Sequence, residues 1–481
     1  MTHARLVFPV IRWSAESGFG AEQPAIARAL ELGVGGFIIF GGTAEAVAAL
    51  TSDLERRAGR PLLFGSDLER GAGQQFEGLT QLPPPAALAA LGDLDAIRQA
   101  AAITAAEARS VGIDWLFAPV ADLDVLPDNP IVQTRAFGAD PGAVASAVSA
   151  WIESAQAGGA LACVKHYPGH GRTHTDSHAG VPVVDAPRAV LEENDLRPFA
   201  AAIAAGVASV MTAHVAFPAL DPSGRPATFS PQIIGELRAR HGFGGPVVTD
   251  ALIMEGALGE RSPGRAAVEA LGAGADFLLY PPDTPAVVAA LGEAIESGHL
   301  DESRVREALA RYETALSRVV ATRSSRARPA SADEPRDHAA AAAAMADRIV
   351  SAGAPAALPH LSAPFSLEVV DDDLGGPYPP GPSSVLADTL TSLGLPIGGA
   401  GSGPRIAAVF AEPRAWKGRA GLSEAARRRV AELVGDAALI VLFAHSRIAE
   451  ELPSRVPVLV AWHRLPLMQA AAARWIAEHA G

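Results

Sequence analysis

Short runs of aliphatic and aromatic residues alternate with Ala-rich, helix-favouring stretches through the first two-thirds of the chain. The runs are almost continuously apolar, which is typical of strands that a parallel sheet buries on both faces. They predict eight strands, at residues 6–11, 35–40, 61–66, 113–119, 160–166, 207–214, 245–251 and 275–281. Eight strand and helix units within about 320 residues favour a closed (β/α)₈ barrel, although an open doubly wound sheet produces the same pattern.

Polar side chains at the carboxyl ends of the predicted strands favour the barrel. Asp67, Lys165, His166, His214 and Asp250 each lie at or just past the end of a strand. In (β/α)₈ barrels this end of the strands carries the active site. Each residue taken alone is equally well explained as a cap of the following helix. Together, acidic, basic and cationic groups at one rim predict a functional site.

A segment rich in Ser, Pro and charged residues, 323–337, has no hydrophobic period and predicts a linker. We therefore expect a catalytic barrel over residues 1–322 and a smaller α/β/α sandwich domain over residues 338–481. The Gly-rich stretch 398–403 leads into a strand rather than a helix, so we interpret it as an ordinary loop and not as a phosphate loop. The strands of the sandwich are predicted from apolar runs at 366–371, 405–411, 438–444 and 456–462.

Charge and composition restrict the class of partner. The formal net charge of −14 at pH 7 leaves no basic surface for non-specific binding of nucleic acid or anionic membranes. The single cysteine, Cys163, excludes an intramolecular disulfide framework. No signal-peptide pattern opens the sequence, and no window approaches the roughly 20 apolar residues of a membrane helix. We expect a soluble cytoplasmic protein that binds a small ligand, with the oligomeric state left open.

The segment KHYPGHGRTHTDSH, residues 165–178, holds four of the thirteen histidines of the chain. The histidines recur every fourth residue, which on a helix would place them on one face and suggest a metal site. Pro168, Gly169 and Gly171 oppose a helix, so the spacing loses that meaning. We predict a loop over the barrel mouth and expect no metal or other cofactor.

Two groups in the chain are candidates for catalysis. Asp176 and His178 are two residues apart, so a turn can bring the carboxylate to one imidazole nitrogen while the other nitrogen faces a ligand. The alternative is a solvated loop histidine. Asp250 follows an apolar strand, where it either points into the barrel mouth or caps a helix. A carboxylate nucleophile with a separate proton donor is what retaining glycoside cleavage requires.

The barrel sequence resembles glycoside hydrolase family three, and within it the β-N-acetylglucosaminidase branch that includes peptidoglycan-recycling enzymes. The combination of KHYPGHG, DSH and TDALIMEG carries most of the specificity. The matching segments occur in family order: GGFIIF (35–40), SDLERG (66–71), GIDWLFAPVADL (112–123), TRAFGADP (134–141), KHYPGHGRTHTDSH (165–178), MTAHVAFPALDP (211–222) and GFGGPVVTDALIMEGAL (242–258).

The resemblance implies a retaining, exo-acting enzyme that removes terminal β-linked N-acetylglucosamine from chito-oligosaccharides or peptidoglycan fragments. It implies that Asp250 is the nucleophile and that Asp176 and His178 form the acid/base dyad. It also implies a set of sugar-binding residues at the barrel mouth, with His214 as a further wall of the pocket: Asp67, Arg135, Lys165 and His166.

One segment departs from the family pattern. Where the family usually reads E-G-G-R, the chain has Glu69-Arg70-Gly71-Ala72, so a customary arginine is missing and another appears two positions earlier. This puts recognition near Asp67 in question. The second domain is expected to be structural, or at most to line the leaving-group side, since His178 is available in the barrel.

Four alternatives stay open at this point. A phosphorylase would use phosphate in place of water on the same fold, and a β-glucosidase would cleave a different sugar. A catalytically silent sugar-binding protein would keep the pocket without the reaction. A metal-dependent hydrolase would use the histidine cluster.

Overall fold

The structure is a computed structural model. It describes residues 2–174, 180–323, 334–356, 361–376, 380–399, 401–412, 414, 417–433, 435 and 437–480. All eight predicted barrel strands are present, and the first is interrupted at Pro9. Their ranges are β1 (Val7–Phe8), β2 (Val10–Arg12), β3 (Gly36–Phe40), β4 (Leu63–Ser66), β5 (Trp115–Leu116), β6 (Leu161–Tyr167), β7 (Ser209–Thr212), β8 (Val247–Thr249) and β9 (Leu278–Leu279).

The strands run parallel and close into a ring. Hydrogen-bonded neighbours follow chain order from β2 to β8, and β9 pairs with β1. A parallel bridge between Val248 and Phe277 joins β8 to the segment that enters β9. Proline has no N–H to donate to a strand ladder, which accounts for the interruption at Pro9. The (β/α)₈ prediction is therefore confirmed, and the open doubly wound sheet is wrong.

The barrel interior is filled by aromatic side chains. Trp115 is 1% exposed, and its ring centroid lies 5.4 Å from that of Phe8 and 5.7 Å from that of Phe277. Its indole N–H donates to Ser209 Oγ at 2.9 Å, which satisfies a buried donor. Cys163 is also buried in this core, and burial raises the pKa of its thiol to about 12. The interior is a packed core, and the cysteine is an inert part of it.

Amphipathic helices surround the ring. Many begin at a residue whose side chain accepts a backbone N–H; Asp283, for example, accepts from Ala286 N at 2.9 Å. The helices are α1 (Gln23–Leu32), α2 (Ala44–Ala58), α3 (Pro85–Ala90), α4 (Leu94–Ser110), α5 (Pro141–Ala157), α6 (Arg188–Val190), α7 (Arg197–Ala204), α8 (Pro231–Ala239), α9 (Glu255–Leu258), α10 (Pro263–Ala273), α11 (Thr284–Glu296) and α12 (Glu302–Arg323).

The C-terminal part is a parallel five-stranded sheet between two helical layers. Its strand order is β11-β10-β12-β13-β14. Alternate residues of the central strand enter different cores: Ile406 packs with the helices of one face, whereas Ala407 packs with α15 on the other. The elements are α13 (Glu334–Ala352), β10 (Phe365–Asp371), α14 (Val385–Ser392), β11 (Ile397–Gly398), β12 (Arg405–Ala411), α15 (Glu424–Leu433), β13 (Ala437–Ala444), β14 (Val458–Val460) and α16 (Pro466–His479). The predicted α/β/α sandwich is confirmed.

The predicted linker, residues 323–337, is helical at both of its ends. Arg323 is the last residue of α12, and residues 334–337 belong to α13. The segment between them, 324–333, lies outside the described residues. The division of the chain at this point stays a prediction. Along the described residues, no helix combines the length and the apolar character that crossing a bilayer requires.

Candidate active site

A cavity of about 790 Å³ opens at the carboxyl ends of the barrel strands. The C-terminal sandwich also supplies part of its wall. The residues that line it from strand ends are Arg12, Phe40, Asp67, Lys165, His166, Asp250 and Tyr280; loop residues include Glu69, Arg70, Gln74, Gln75, Arg135 and His170; and the sandwich contributes Glu412, Arg414 and His463. Five of the predicted site residues therefore meet in one cavity: Asp67, Arg135, Lys165, His166 and Asp250.

Asp250 directly follows β8, so the strand end presents its carboxylate to the cavity. Its Oδ1 accepts from the N–H of Ala251 at 2.7 Å. Burial alone would raise the pKa of Asp250, but the interactions with His166 and His214 and the Ala251 hydrogen bond outweigh burial and lower the pKa to about 2. The carboxylate is consequently ionised at neutral pH, which is the state that a nucleophile requires.

Lys165 is the centre of a buried ion network. Its Nζ lies 2.6 Å from Asp67 Oδ1 and 2.7 Å from Glu69 Oε1. Arg135 donates to both oxygens of the same Glu69, at 2.8 and 2.9 Å. Burial opposes the charge on Lys165, but Asp67 and Glu69 outweigh it and raise the pKa. Two cations thus neutralise two anions, which leaves fixed donors and acceptors suited to an uncharged, hydroxyl-rich ligand.

Glu69 was not among the predicted site residues, although it holds this network together. Its side chain is 6% exposed. Burial favours the neutral acid, yet Arg135 and Lys165 outweigh burial and hold the pKa of Glu69 well below its usual range. The sequence signal for Glu69 is its place in the segment SDLERG, two residues after Asp67.

His166 is oriented by Asp122. Asp122 Oδ2 lies 2.7 Å from His166 Nδ1, and Asp122 Oδ1 accepts from the backbone N–H of His170 at 2.6 Å. Burial would raise the pKa of Asp122, but His166 and His170 outweigh it and lower the pKa. The ionised carboxylate fixes a proton on Nδ1, so Nε2 is the nitrogen that faces away from Asp122. Asp122 is a second residue that the sequence interpretation missed, although it lies in the segment GIDWLFAPVADL.

His214 does not line the cavity, in contrast to the prediction. Its side chain is fully buried beside β7, with Nδ1 at 2.8 Å from Thr228 Oγ1 and Nε2 at 3.1 Å from the carbonyl of Ala251. The side chain of His214 thus lies against Thr228 and the backbone of Ala251 and does not reach the cavity wall. His214 therefore supports the backbone next to Asp250.

Over its described residues, 165–174, the histidine-rich segment is not a helix. Lys165, His166 and Tyr167 belong to β6, and a loop begins at Pro168. Asn129 anchors that loop by donating to the carbonyls of His170 at 2.9 Å and of Thr173 at 3.1 Å. The described residues contain no group of three or more His, Cys, Asp or Glu side chains placed to hold a metal ion.

The predicted dyad falls in residues 175–179, which lie outside the described residues. Asp176 and His178 therefore keep the status of a prediction. The described loop reaches His174, an exposed residue four positions before His178.

The sandwich contributes a charged group to the cavity wall. The guanidinium of Arg70 contacts Nε2 of His463, which lies just beyond β14. His463 Nδ1 is 2.8 Å from Glu412 Oε1, and Arg414 donates to Glu412 Oε2 at 3.1 Å. Burial raises the pKa of Glu412, but His463, Arg70 and Arg414 outweigh it and hold the pKa well below its usual range. The second domain is thus part of the cavity rather than remote from it.

The chain matches known proteins in sequence. The family model described as "Glycosyl hydrolase family 3 N terminal domain" matches residues 22–315. A β-N-acetylglucosaminidase/β-glucosidase of Cellulomonas fimi is 35% identical over 290 residues, which cover 58% of this chain and 51% of that protein. A β-hexosaminidase of Chromobacterium violaceum is 38% identical over 289 residues, covering 57% of this chain and 80% of that protein. The match therefore spans only about half of the Cellulomonas relative.

A solved structure resembles the whole chain. The glycoside hydrolase family 3 β-N-acetylglucosaminidase from Paenibacillus sp. str. FPU-7 superposes with a TM-score of 0.85 at 27% identity. The superposition covers 100% of this chain and 96% of that protein. The barrel and the sandwich thus occur together in a relative of almost the same extent.

Proposed function

The chain belongs to glycosyl hydrolase family 3, and on that premise we propose that it is a retaining, exo-acting β-N-acetylglucosaminidase. The observation that carries the proposal is the ionised carboxylate of Asp250 in a cavity whose other groups are hydrogen-bond donors and acceptors. The names of the relatives from Cellulomonas, Chromobacterium and Paenibacillus support the choice of a hexosamine as the sugar.

In the first step, an Asp250 oxygen attacks the anomeric carbon, and the bond from that carbon to the leaving oxygen breaks. A glycosyl-enzyme ester results. The leaving oxygen needs a proton, and we assign its delivery to His178, with Asp176 orienting the imidazole, on the basis of the sequence. In the second step His178 takes a proton from water, and the hydroxyl oxygen displaces Asp250. Two displacements retain the anomeric configuration.

The sugar is held by groups whose geometry is fixed before it binds. Asp67 is about one-third exposed and accepts from ring hydroxyls, whereas Lys165 donates to them. His166 presents Nε2 because Asp122 engages Nδ1. Arg135 lines the same cavity while it holds Glu69. Such preorganisation lowers the cost of ordering the site at the moment of reaction.

The natural substrates in this proposal are N-acetylglucosamine-terminated chito-oligosaccharides or peptidoglycan fragments, with cytoplasmic peptidoglycan recycling as the setting. The balance of charge in the Lys165 network suits a neutral terminal sugar. A histidine base in place of a second carboxylate avoids like-charge repulsion of Asp250.

A panel of aryl β-glycosides of N-acetylglucosamine, N-acetylgalactosamine and glucose, assayed with and without phosphate, tests the proposal. We expect preferential release from the N-acetylglucosamine glycoside without phosphate, and NMR of the first product should show the β anomer. Release that requires phosphate would instead identify a phosphorylase. Preference for the glucoside would identify a β-glucosidase, and sugar binding without any release would identify a silent binding protein.

A further inference from the structure

Arg70 lies where the chain departs from its family. The position at which the family usually carries an arginine is Ala72, which is fully buried in the hydrophobic core. A side chain at position 72 thus points away from the cavity. Arg70, two positions earlier, lines the cavity together with Asp67 and Lys165.

The backbone holds Arg70 firmly in place. Its N–H donates to Gln74 Oε1 at 2.9 Å, and its carbonyl accepts from Leu82 N at 3.0 Å. Gly71 follows with φ of 80°, and a Cβ there would lie 2.4 Å from the carbonyl oxygen of Thr80. The turn after Arg70 is therefore fixed, and it directs the side chain at position 70 toward the sandwich.

Among the described residues, the Arg70 guanidinium has one hydrogen-bond partner, His463 Nε2. A guanidinium carries five N–H donors in a planar fork, so most of them remain for a ligand in the cavity. Because an arginine only donates, His463 accepts through Nε2. Its Nδ1 lies 2.8 Å from Glu412 Oε1 and 3.2 Å from the backbone nitrogen of Leu465. Burial and Arg70 lower the pKa of His463 and outweigh Glu412, which raises it, so the neutral imidazole that accepts from Arg70 is favoured.

We infer that Arg70 is a substrate-binding residue and that His463 and Glu412 of the C-terminal sandwich position it, so that the sugar site is built from both halves of the chain. The ligand class is the oxygen-bearing substituents of the terminal sugar, since Arg70 lines the same cavity as Asp67 and Lys165. The choice of N-acetylglucosamine as the sugar rests on the proposed function. The role of Arg70 does not, because any hydroxyl-rich sugar presents acceptors to it.

The positioning role follows from the arrangement of charge. Glu412 and His463 come from the ends of different strands of the sandwich, β12 and β14, and they meet 2.8 Å apart. Glu412 is buried, and its negative charge opposes the cost of placing the Arg70 cation in the wall. Removal of His463 takes away the hydrogen-bond partner of the guanidinium, and removal of Glu412 takes away the charge that offsets its burial. In either case the donors of Arg70 no longer point at a defined place.

The experiment compares KM, kcat and the inhibition constant of free N-acetylglucosamine in the full-length chain and its variants. For Arg70→Lys, Arg70→Ala and His463→Leu we expect KM and the inhibition constant to rise roughly ten- to hundredfold, the loss expected for a hydrogen bond from a charged group. His463→Gln should stay close to the parent, because its amide oxygen accepts from Arg70 and its amide N–H faces Glu412. Added guanidinium should partly restore Arg70→Ala.

His338→Gln is the matched control. His338 Nδ1 lies 3.0 Å from Glu107 Oε1. Like His463, His338 belongs to the C-terminal part and contacts a glutamate. In this case, however, the glutamate belongs to α4, and the pair lies outside the cavity. We expect no change in KM for it. The double variant Arg70→Lys/His463→Leu should be no worse than the single variants if the two residues act together.

Arg70 and His463 variants with KM and inhibition constant within twofold of the His338 control would overturn the inference. Equal effects of His463→Leu and His463→Gln would overturn the positioning role of His463. If His463→Leu does not fold, the inference is still tested by the Arg70 variants, His463→Gln and Glu412→Gln. If the parent cleaves only a different aryl glycoside, the proposed function fails, and the same variants tested on that glycoside still decide the role of Arg70.

Discussion

Asp122 Oδ2 lies 2.7 Å from His166 Nδ1 at the rim of the barrel, so a carboxylate from the loop after β5 sets the orientation of an imidazole at the end of β6. An amide in place of the carboxylate can donate to Nδ1 and favour the opposite tautomer. We therefore expect Asp122→Asn to lower kcat/KM by roughly tenfold or more, as partners that orient a functional imidazole commonly do.

The control for Asp122→Asn is Asp221→Asn. Asp221 is also a buried aspartate and accepts from Ser230 Oγ at 2.5 Å, but it does not line the cavity. If both variants lose the same fraction of activity and their melting temperatures fall by the same amount, then Asp122→Asn acts through stability and not through the orientation of His166.

Removal of the Asp250 carboxylate should abolish turnover while the fold persists. The residue lies at the cavity surface and contributes little packing, so Asp250→Ala should keep its circular dichroism spectrum and lose at least about 10³-fold in kcat. Added azide can occupy the space of the missing carboxylate and attack the sugar, giving an α-glycosyl azide. Activity comparable to the parent would show that Asp250 is not the nucleophile.

Loss of His178 should depend on the leaving group. Protonation matters most for a poor leaving group, so His178→Ala should slow a natural disaccharide much more than a glycoside of an acidic phenol. Water activation in the second step also suffers, so we expect a burst of phenol followed by slow release. Asp176→Ala should show a milder form of the same behaviour.

The exposed His174, four positions earlier in the sequence, supplies the control for the His178 variant. His174→Ala should resemble the parent on both substrates. An equal slowing of both substrates by His178→Ala, without a burst, would require another acid/base, and the sandwich residues of the cavity would then be the first to test.

The dependence of the rate on acidic pH should not reflect the protonation of Asp250. Its pKa is lowered to about 2, and the ionised form is the one that the proposed mechanism uses, so the proposed nucleophile should stay ionised as the pH falls until about that value. In single-turnover experiments with an activated phenyl glycoside, where leaving-group protonation matters little, the rate of glycosylation should be flat between about pH 4 and pH 7. A fall in the glycosylation rate near pH 4, at a pH that shifts in the Asp250→Glu variant, would contradict the low pKa of Asp250.

The strands were predictable because burial on both faces leaves a strong local signal. The runs GGFIIF and ALACVKH become β3 and β6 within a residue or two of the predicted bounds. Asp67, Lys165, His166 and Asp250 were found for a related reason, since a parallel barrel brings all strand ends to one face.

The supporting residues were not predictable because their partners are distant in the sequence. Glu69 meets Arg135, and Asp122 meets His166, only after neighbouring strands have been placed in the ring. His214 was predicted to line the cavity and does not. The direction of its side chain depends on contacts with Thr228 and Ala251, which are also distant in the sequence. The contact of Arg70 with His463 depends on how the sandwich docks, which no local pattern encodes.

The ring is closed by a ladder of two residue pairs, which joins Val7 to Leu278 and Phe8 to Leu279. In folding terms this is the pairing with the largest separation along the barrel sequence, so it carries the greatest loop-closure entropy and contributes most to slow folding. On the ribosome, β1 emerges first, and its outer edge stays without this partner until residue 279 has been made. The barrel cannot complete its hydrogen bonding before nearly all of its own sequence has left the exit tunnel.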